Sequence, residues 1–234
     1  MFAVAYVLSM TTPSSTAFEP SEKAEPSKLK TVMIEQHGTV VGGQLVYVSP
    51  NAVRFDCQKR GTYIIAKAPD WRVYSYSLKT KKWFDTPFGT YVTLFKPFLL
   101  VYRIDLSSYQ MKKVGQEHIF GLDCSIYSPI PKGKAATADP LAARVKGVWL
   151  ADDFKKIPPQ IGDLMEREAG LPPLHKPLIK YDYVQDNNVT HAVTTTWCRP
   201  WMVPADFFDL PQGLTKAKKL EDVYPGTTFN QFVP

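Results

Sequence analysis

"GTYIIAKAPDWRVYSYSLKTKKWF", Gly61–Phe84, decides the fold class. Thr62–Lys67 reads as a strand and Ala68-Pro69-Asp70 as a turn. Trp71–Leu78 reads as a second strand, and a Lys-Thr-Lys-Lys turn leads into Trp83-Phe84. Successive residues of a strand point to opposite faces, so Arg72, Tyr74, Tyr76 and Leu78 share one side and Trp71, Val73, Ser75 and Ser77 the other. Neither side is strongly polar. Rings on both sides fit a sheet covered on both faces, or one with a face on a core and the other lining a cleft.

The same grammar extends outward. Upstream, Ala52–Gln58 alternates, with Val53, Phe55 and Cys57 opposed to Arg54 and Asp56, and Thr31–Tyr47 holds two apolar runs around Gly42-Gly43. Strands at about ten-residue spacing with polar turns predict an antiparallel meander. Downstream, Phe88–Tyr109 is open between a helix and a strand, with Pro97 forbidding an unbroken helix. Val114–Tyr127 returns to strand character with a bend at Gly121, Pro129–Ala143 is a loop, and Val145–Leu150 is a strand. Gln160–Ala169 is a short helix stopped by Gly170 and Pro172-Pro173. Ile179–Val184 and Val189–Trp197 form a hairpin across Asp186-Asn187-Asn188, whose side chains tolerate left-handed backbone. Pro200–Leu210 is a turn into a short helix or an extended piece. No repeat of fixed period is visible.

Composition bounds the function. The 234 residues are 44% hydrophobic and 21% charged, ordinary globular values that allow a large core without disulfides. The net charge of +6 is carried largely by lysine, with clusters at Lys79, Lys81 and Lys82 and at Lys216, Lys218 and Lys219. Zinc-finger spacing, an RNP1-like run and an arginine-rich recognition helix are all missing, so nucleic acid is not an expected partner. Cys57, Cys124 and Cys198 are far apart and odd in number: no CxxC pair exists, and at most one bridge could form within the chain. Phe2–Met10 is an apolar run followed by Thr, Ser and Pro, which reads as a degenerate export signal without its basic n-region. The expected organisation is a leader at 1–30, one domain at 31–214 and a tail at 215–234.

Catalytic signatures were sought by residue type and spacing. The sequence has no GxSxG elbow, no P-loop, no GxGxxG and no HExxH. His37, His118, His175 and His191 are scattered, and no metal set is expected from them. Asp152-Asp153 would point to opposite faces in a strand and reads as a strand-end turn or cap. Glu166 and Glu168 flank Arg167 on the short helix, where a solvated face is expected. The chain is therefore expected to be no enzyme and to use no cofactor and no metal.

The order of these pieces resembles the lipoprotein-carrier superfamily, the LolA/LolB-like proteins. The resemblance is carried by "GTVVGGQLVYVSPNAVRFDCQ" (Gly38–Gln58), by Gly61–Phe84, by "GQEHIFGLDCSIYS" (Gly115–Ser128), by "KGVWLADDFKKIP" (Lys146–Pro158) and by "VPADFFDLPQGL" (Val203–Leu214). It implies a mainly β, α+β fold in which a strongly curved antiparallel sheet forms an unclosed barrel, with a few helices packed on its concave side. It implies a cavity that holds acyl chains or other hydrophobic groups, and work in the periplasm or elsewhere in the cell envelope. Arg54 is the candidate for the arginine that the carriers use to hold the cavity closed.

Carriage without turnover needs concave apolar surface and a few orienting polar groups. The candidate wall is Val53, Phe55, Tyr63, Ile65, Trp71, Val73, Tyr74, Tyr76, Trp83, Phe95, Phe98, Leu100, Trp149 and Leu164. Burying about 200–300 Å² of acyl chain at ~25 cal/mol/Å² would supply about 5–7 kcal/mol before association costs. The expected partners are a hydrophobic ligand such as an acyl chain and an envelope protein, with peripheral membrane contact compatible with both. The alternative is a protein-interaction or sensor module of the same fold whose interior is filled by its own side chains.

Overall fold

The computed structural model describes residues 27–39, 42–57, 61–94, 106, 109–130, 143–154 and 157–224. The expected leader lies almost wholly outside these, as do Pro97 and the wall candidates Phe95, Phe98 and Leu100. Among the described residues the architecture is one open sheet of twelve strands, mainly β and antiparallel as expected, and not closed on itself. In chain order the strands are β1 (Lys28–His37), β2 (Gln44–Ser49), β3 (Ala52–Cys57), β4 (Thr62–Lys67), β5 (Val73–Ser77), β6 (Lys82–Thr86), β7 (Gln110–Ile119), β8 (Leu122–Ile130), β9 (Val145–Ala151), β10 (Leu178–Gln185), β11 (Asn188–Pro204) and β12 (Thr215–Lys216). Helix α1 is Phe88–Leu94 and α2 is Pro159–Glu168. Across the sheet the order is β12-β6-β5-β4-β3-β2-β1-β11-β10-β9-β8-β7, with the short β12 alone pairing in parallel.

Local chemistry explains the turns. Phe120 and Gly121 both have positive φ, at 52° and 79°, as do Asp186 and Asn187 at 50° and 64°. Two consecutive left-handed residues make the hairpin turn whose twist matches the flanking strands. The hairpin β10–β11 is longer than its sequence suggested, because β11 runs through Pro200 to Pro204. The β10 ladder ends at Lys180↔Thr194, whereas β1 pairs with β11 as far as Lys28↔Pro204. Proline at 200 thus sits where β11 has a strand neighbour on one side only, the setting in which a missing N–H is tolerated.

Helix α2 starts with Pro159 in its first turn and buries Ile161, Leu164 and Met165, the i, i+3, i+4 stripe of an amphipathic helix. It stops at Gly170, φ 74°, where the Leu171 N–H donates to the Glu166 carbonyl at 2.9 Å. The expectation of a solvated acidic face is wrong. Glu166 is fully buried, and its carboxylate accepts the backbone N–H groups of Leu174, His175 and Lys176 at 2.7, 3.2 and 3.1 Å. A Cβ at Gly162 would collide with the backbone of His175 and Lys176, so the glycine lets the helix approach that loop closely. Glu168 is partly buried and accepts a bond from the Tyr91 hydroxyl of α1 at 3.4 Å. Composition alone read these carboxylates as surface; a loop folding back over the helix covers them.

The sheet carries apolar clusters on both faces. On the helix face, Ile34, Val46, Val48, Val53, Phe55, Ile64, Ala66 and Val73 pack in one core with Tyr91 of α1 and with Ile161, Leu164 and Met165 of α2. On the other face, Met33, Tyr47, Ile65, Tyr76 and Val203 pack with Phe207 and Phe208 of the segment 205–214, a strap that crosses the strands. Both faces of the central meander are covered, the first of the two arrangements that the rings in Gly61–Phe84 allow.

Candidate functional site

The candidate wall residues divide between these environments. Val53, Phe55, Val73 and Trp71 lie in the helix-face cluster, and Leu164 reaches the same core from α2. Tyr63, Ile65, Tyr74, Tyr76 and Trp83 lie on the strap face. There Tyr63 stacks on Tyr76 with centroids 4.8 Å apart and planes 12° from parallel, and Tyr74 meets Trp83 at 6.1 Å. Trp149 is buried and belongs to the helix-face cluster with Val148 and Leu150. Its indole N–H donates to Glu117 at 2.6 Å, and Lys180 lies 4.3 Å from its ring centre. Gly147 makes room for that indole, since a Cβ there would stand 2.8 Å from it.

Arg54 also points to the strap face, so it is not placed to close the helix side. Its guanidinium bonds Asp56 at 2.6 and 3.2 Å and the Phe207 carbonyl at 2.8 Å, and it lies 4.1 Å from the Phe207 ring centre. Burial pushes the Asp56 carboxyl up despite the Arg54 bonds that pull it down. Burial likewise lifts the Tyr76 phenol to about 12. Arg54 is thus the pin that fastens the strap.

Below the helix face a buried polar set joins distant segments. Tyr91 of α1 and Tyr224 near the end of the chain both bond Ser75 of β5, and Glu168 of α2 lies against the two phenols. Burial, opposed by the Tyr91 bond, lifts the Glu168 carboxyl to about 8. Burial also outweighs the three amide bonds to Glu166 and lifts it to about 8.

At the β7–β9 end a groove of about 740 Å³ opens, lined by Lys113, Gln116, Glu117, His118, Asp123, Cys124, Asp152, Asp153 and Lys176. The two-residue turn at Phe120-Gly121 sets its register: His118 pairs with Asp123, Gln116 with Ser125, and Lys113 with Tyr127. Ser125 and Tyr127 pair in turn with Leu150 and Val148, both fully buried on the helix face. Lys176 bonds Asp152 and the Tyr127 hydroxyl, the latter at 3.2 Å, and Ser125 donates to Asp152 at 2.5 Å. Burial pulls the Asp152 carboxyl up, but the Lys176 and Ser125 bonds outweigh it and hold the group below its usual range. Asp153 accepts the Asp123 N–H at 2.7 Å, and His118 bonds Asp123 at 2.9 Å.

This constellation binds better than it reacts. Ser125 gives its proton to a carboxylate already neutralised by lysine, with no imidazole on its oxygen. Burial raises the Cys124 thiol to about 12, far from a thiolate at neutral pH, and Cys198 to about 11. The three cysteines carry thiols and not a disulfide. His37, His118, His175 and His191 each pair with one carboxylate, Glu35, Asp123, Asp163 and Asp182, at separate places. Among the described residues no His, Cys, Asp or Glu group of three could hold a metal ion, and no helix is long and apolar enough to cross a membrane. Reading the sequence strand by strand misses the groove. Its one legible signal is that Gln116 and His118 face Asp123 and Ser125 across a two-residue turn, beside the Asp152-Asp153 strand end.

No protein-family model matches the chain, and no curated protein matches it. Among solved structures, the fold is similar to an uncharacterized conserved protein from Thermus thermophilus, at 6% identity and TM-score 0.35 over 80% of this chain and 89% of that one. It is similar to MucB, solved in complex with MucA, at 12% identity and TM-score 0.31 over 81% and 56%. It is also similar to a putative outer membrane lipoprotein-sorting protein domain from Vibrio parahaemolyticus, at 10% identity and TM-score 0.24 over 73% and 85%. A LolA superfamily protein from Nitrosomonas europaea is also among the similar structures, at 12% identity and TM-score 0.19 over 81% of each chain.

Proposed function

We propose that this protein binds a hydrophobic ligand without chemical turnover, seating an acyl chain or similar group along the helix face and its polar end in the groove beside Lys176. The carrying observation is the groove's position. It opens at one end of the sheet, where its lining residues Gln116 and Lys113 pair with Ser125 and Tyr127, the strand partners of the buried Leu150 and Val148. A volume near 740 Å³ falls within the usual range for ligand pockets, roughly 300–1,000 Å³. Lys113 and Lys176 are the groove's two lysines, set among Glu117, Asp123, Asp152 and Asp153, and Asp152 holds the Lys176 ammonium in place beside the polar end group. The apolar run Phe2–Met10 supports work in the bacterial cell envelope, with residues 31–214 as the binding domain.

A second reading, an interaction module with a filled interior, is favoured by one observation: Val53, Phe55, Ile161 and Leu164 are at most 1% exposed. The two separate cleanly. Protein purified from cells and extracted with organic solvent is expected to release a lipid detectable by mass spectrometry and to bind a fluorescent fatty-acid probe. Lys176→Glu should weaken the probe about tenfold, since it places like charges together. A lipid-free extract together with no probe binding would refute carriage in favour of the filled module.

A further inference from the structure

The opening residues of β1 and the closing residues of β11 run past their neighbours. β2 reaches β1 only as far as Val32, and the β10 ladder stops at Thr194 of β11. Lys28–Thr31 and Trp201–Pro204 are therefore laddered to each other alone, in the register Lys28↔Pro204, Leu29↔Val203, Lys30↔Met202 and Thr31↔Trp201. The Thr31 hydroxyl fastens the pair by donating to the Trp201 carbonyl at 3.0 Å.

This ribbon end has an unusual surface. Leu29, Trp201 and Met202 are 39%, 40% and 48% exposed on three successive rungs of the ribbon end, Met202 on one face and Leu29 and Trp201 on the other. Lys28, Lys30 and Arg199 are exposed among them, and neither 28–34 nor 199–204 contains an acidic residue. The Arg199 guanidinium lies over Trp197 and Trp201, 3.4 and 4.5 Å from their ring centres. It is held against the faces of the two indoles. Val203, on the same face, is buried with Phe208 of the strap, so the exposed set is confined to the tip and its flanks.

Tryptophan, methionine and leucine interleaved with cations and free of carboxylates match the water–lipid boundary. There an indole sits at headgroup depth, and basic side chains reach phosphates. We propose that this ribbon end docks on an anionic lipid surface, with Trp201, Met202 and Leu29 in the headgroup–acyl boundary and Lys28, Lys30 and Arg199 on the phosphates. Charge complementarity selects this occupant: three cations with no acidic residue in 28–34 or 199–204 would repel a second copy of the same ribbon end. β9 and β11 run in the same direction, both antiparallel to β10, so the ribbon tip and the Asp152–Lys176 groove lie at the same end of the sheet. Docking stands whether or not the groove holds a ligand. With one, it sets the mouth at the source.

The test is flotation of the full chain with vesicles of pure phosphatidylglycerol and of pure phosphatidylcholine. Binding is expected to the first and not the second, and to fall with added salt. Lys28→Glu/Lys30→Glu should lower the partition coefficient by at least about fivefold per lysine. Trp201→Ser/Met202→Ser should lower it about tenfold. If that pair fails to fold, Met202→Asp, at a half-exposed position, takes its place. Soluble glycerophosphoglycerol should leave vesicle binding intact. Equal binding to the two lipids, unchanged binding by the variants, or full displacement by the soluble headgroup would each overturn the proposal.

Discussion

Along β3, neighbouring residues enter different worlds. Val53 and Phe55 meet Val46, Val48, Ile64 and Ala66 in the apolar core under α2. Arg54 and Asp56, one residue on, meet Tyr63, Tyr76 and Phe207 under the strap. The helix face is mainly aliphatic and has its polar groups at depth, in Ser75, Tyr91, Tyr224 and Glu168. The strap face is aromatic and is organised around one guanidinium. The comparison teaches that the rings which drew attention in Gly61–Phe84 are spent on holding the strap. Packing on the helix face is cohesive mainly through apolar area, whereas packing on the strap face depends on a desolvated ion pair whose two members need each other.

The largest effect should come from the helix face. Phe55→Ala is expected to cost about 4 kcal/mol, because the site is closed on every side and cannot collapse onto the gap; urea denaturation reads this as a lowered midpoint. Arg54→Ala comes next, at about 3 kcal/mol, since it strands the Asp56 carboxylate and frees the Phe207 carbonyl. Arg54→Met/Asp56→Leu should recover most of that loss. Hydrogen exchange of residues 205–212 should rise in Arg54→Ala and stay unchanged in Phe55→Ala at matched stability. Equal exchange in the two would erase the distinction between the faces.

A third difference lies in pH. Glu168 is raised from 4.5 to about 8 and Glu166 likewise, so the folded state holds these protons more tightly than the unfolded chain does. Their contribution is full below about pH 4.5 and is lost as pH climbs through about 8. The melting temperature should therefore fall between about pH 5 and pH 8. Glu168→Gln should flatten that slope, and Arg54→Met should not. The smallest effect is expected at Tyr76→Phe, which keeps the stack on Tyr63 and should change stability by less than about 1 kcal/mol.

The elements were legible where alternation and turn chemistry agree. Val53, Phe55 and Cys57 against Arg54 and Asp56 marked β3, and Asp186-Asn187 marked the β10–β11 turn. Gln160–Ala169, stopped by Gly170 and Pro172-Pro173, marked α2. The groove was not legible, because Lys113, Asp123, Asp152 and Lys176 come from separate segments that only strand pairing and the loop after α2 bring together. Glu166 misled for a related reason: a carboxylate next to Arg167 looks solvated until a loop folds back and gives it three N–H groups.

The local pattern of residues thus determined that the chain is an antiparallel sheet with few helices, since period-two alternation and left-handed turn residues act over a few bonds. Only the tertiary structure decided which face each ring occupies, what Arg54 fastens and where the polar groove lies. Those outcomes depend on the strap and the helix that cover each side, and a strand's own sequence does not specify what will be laid across it.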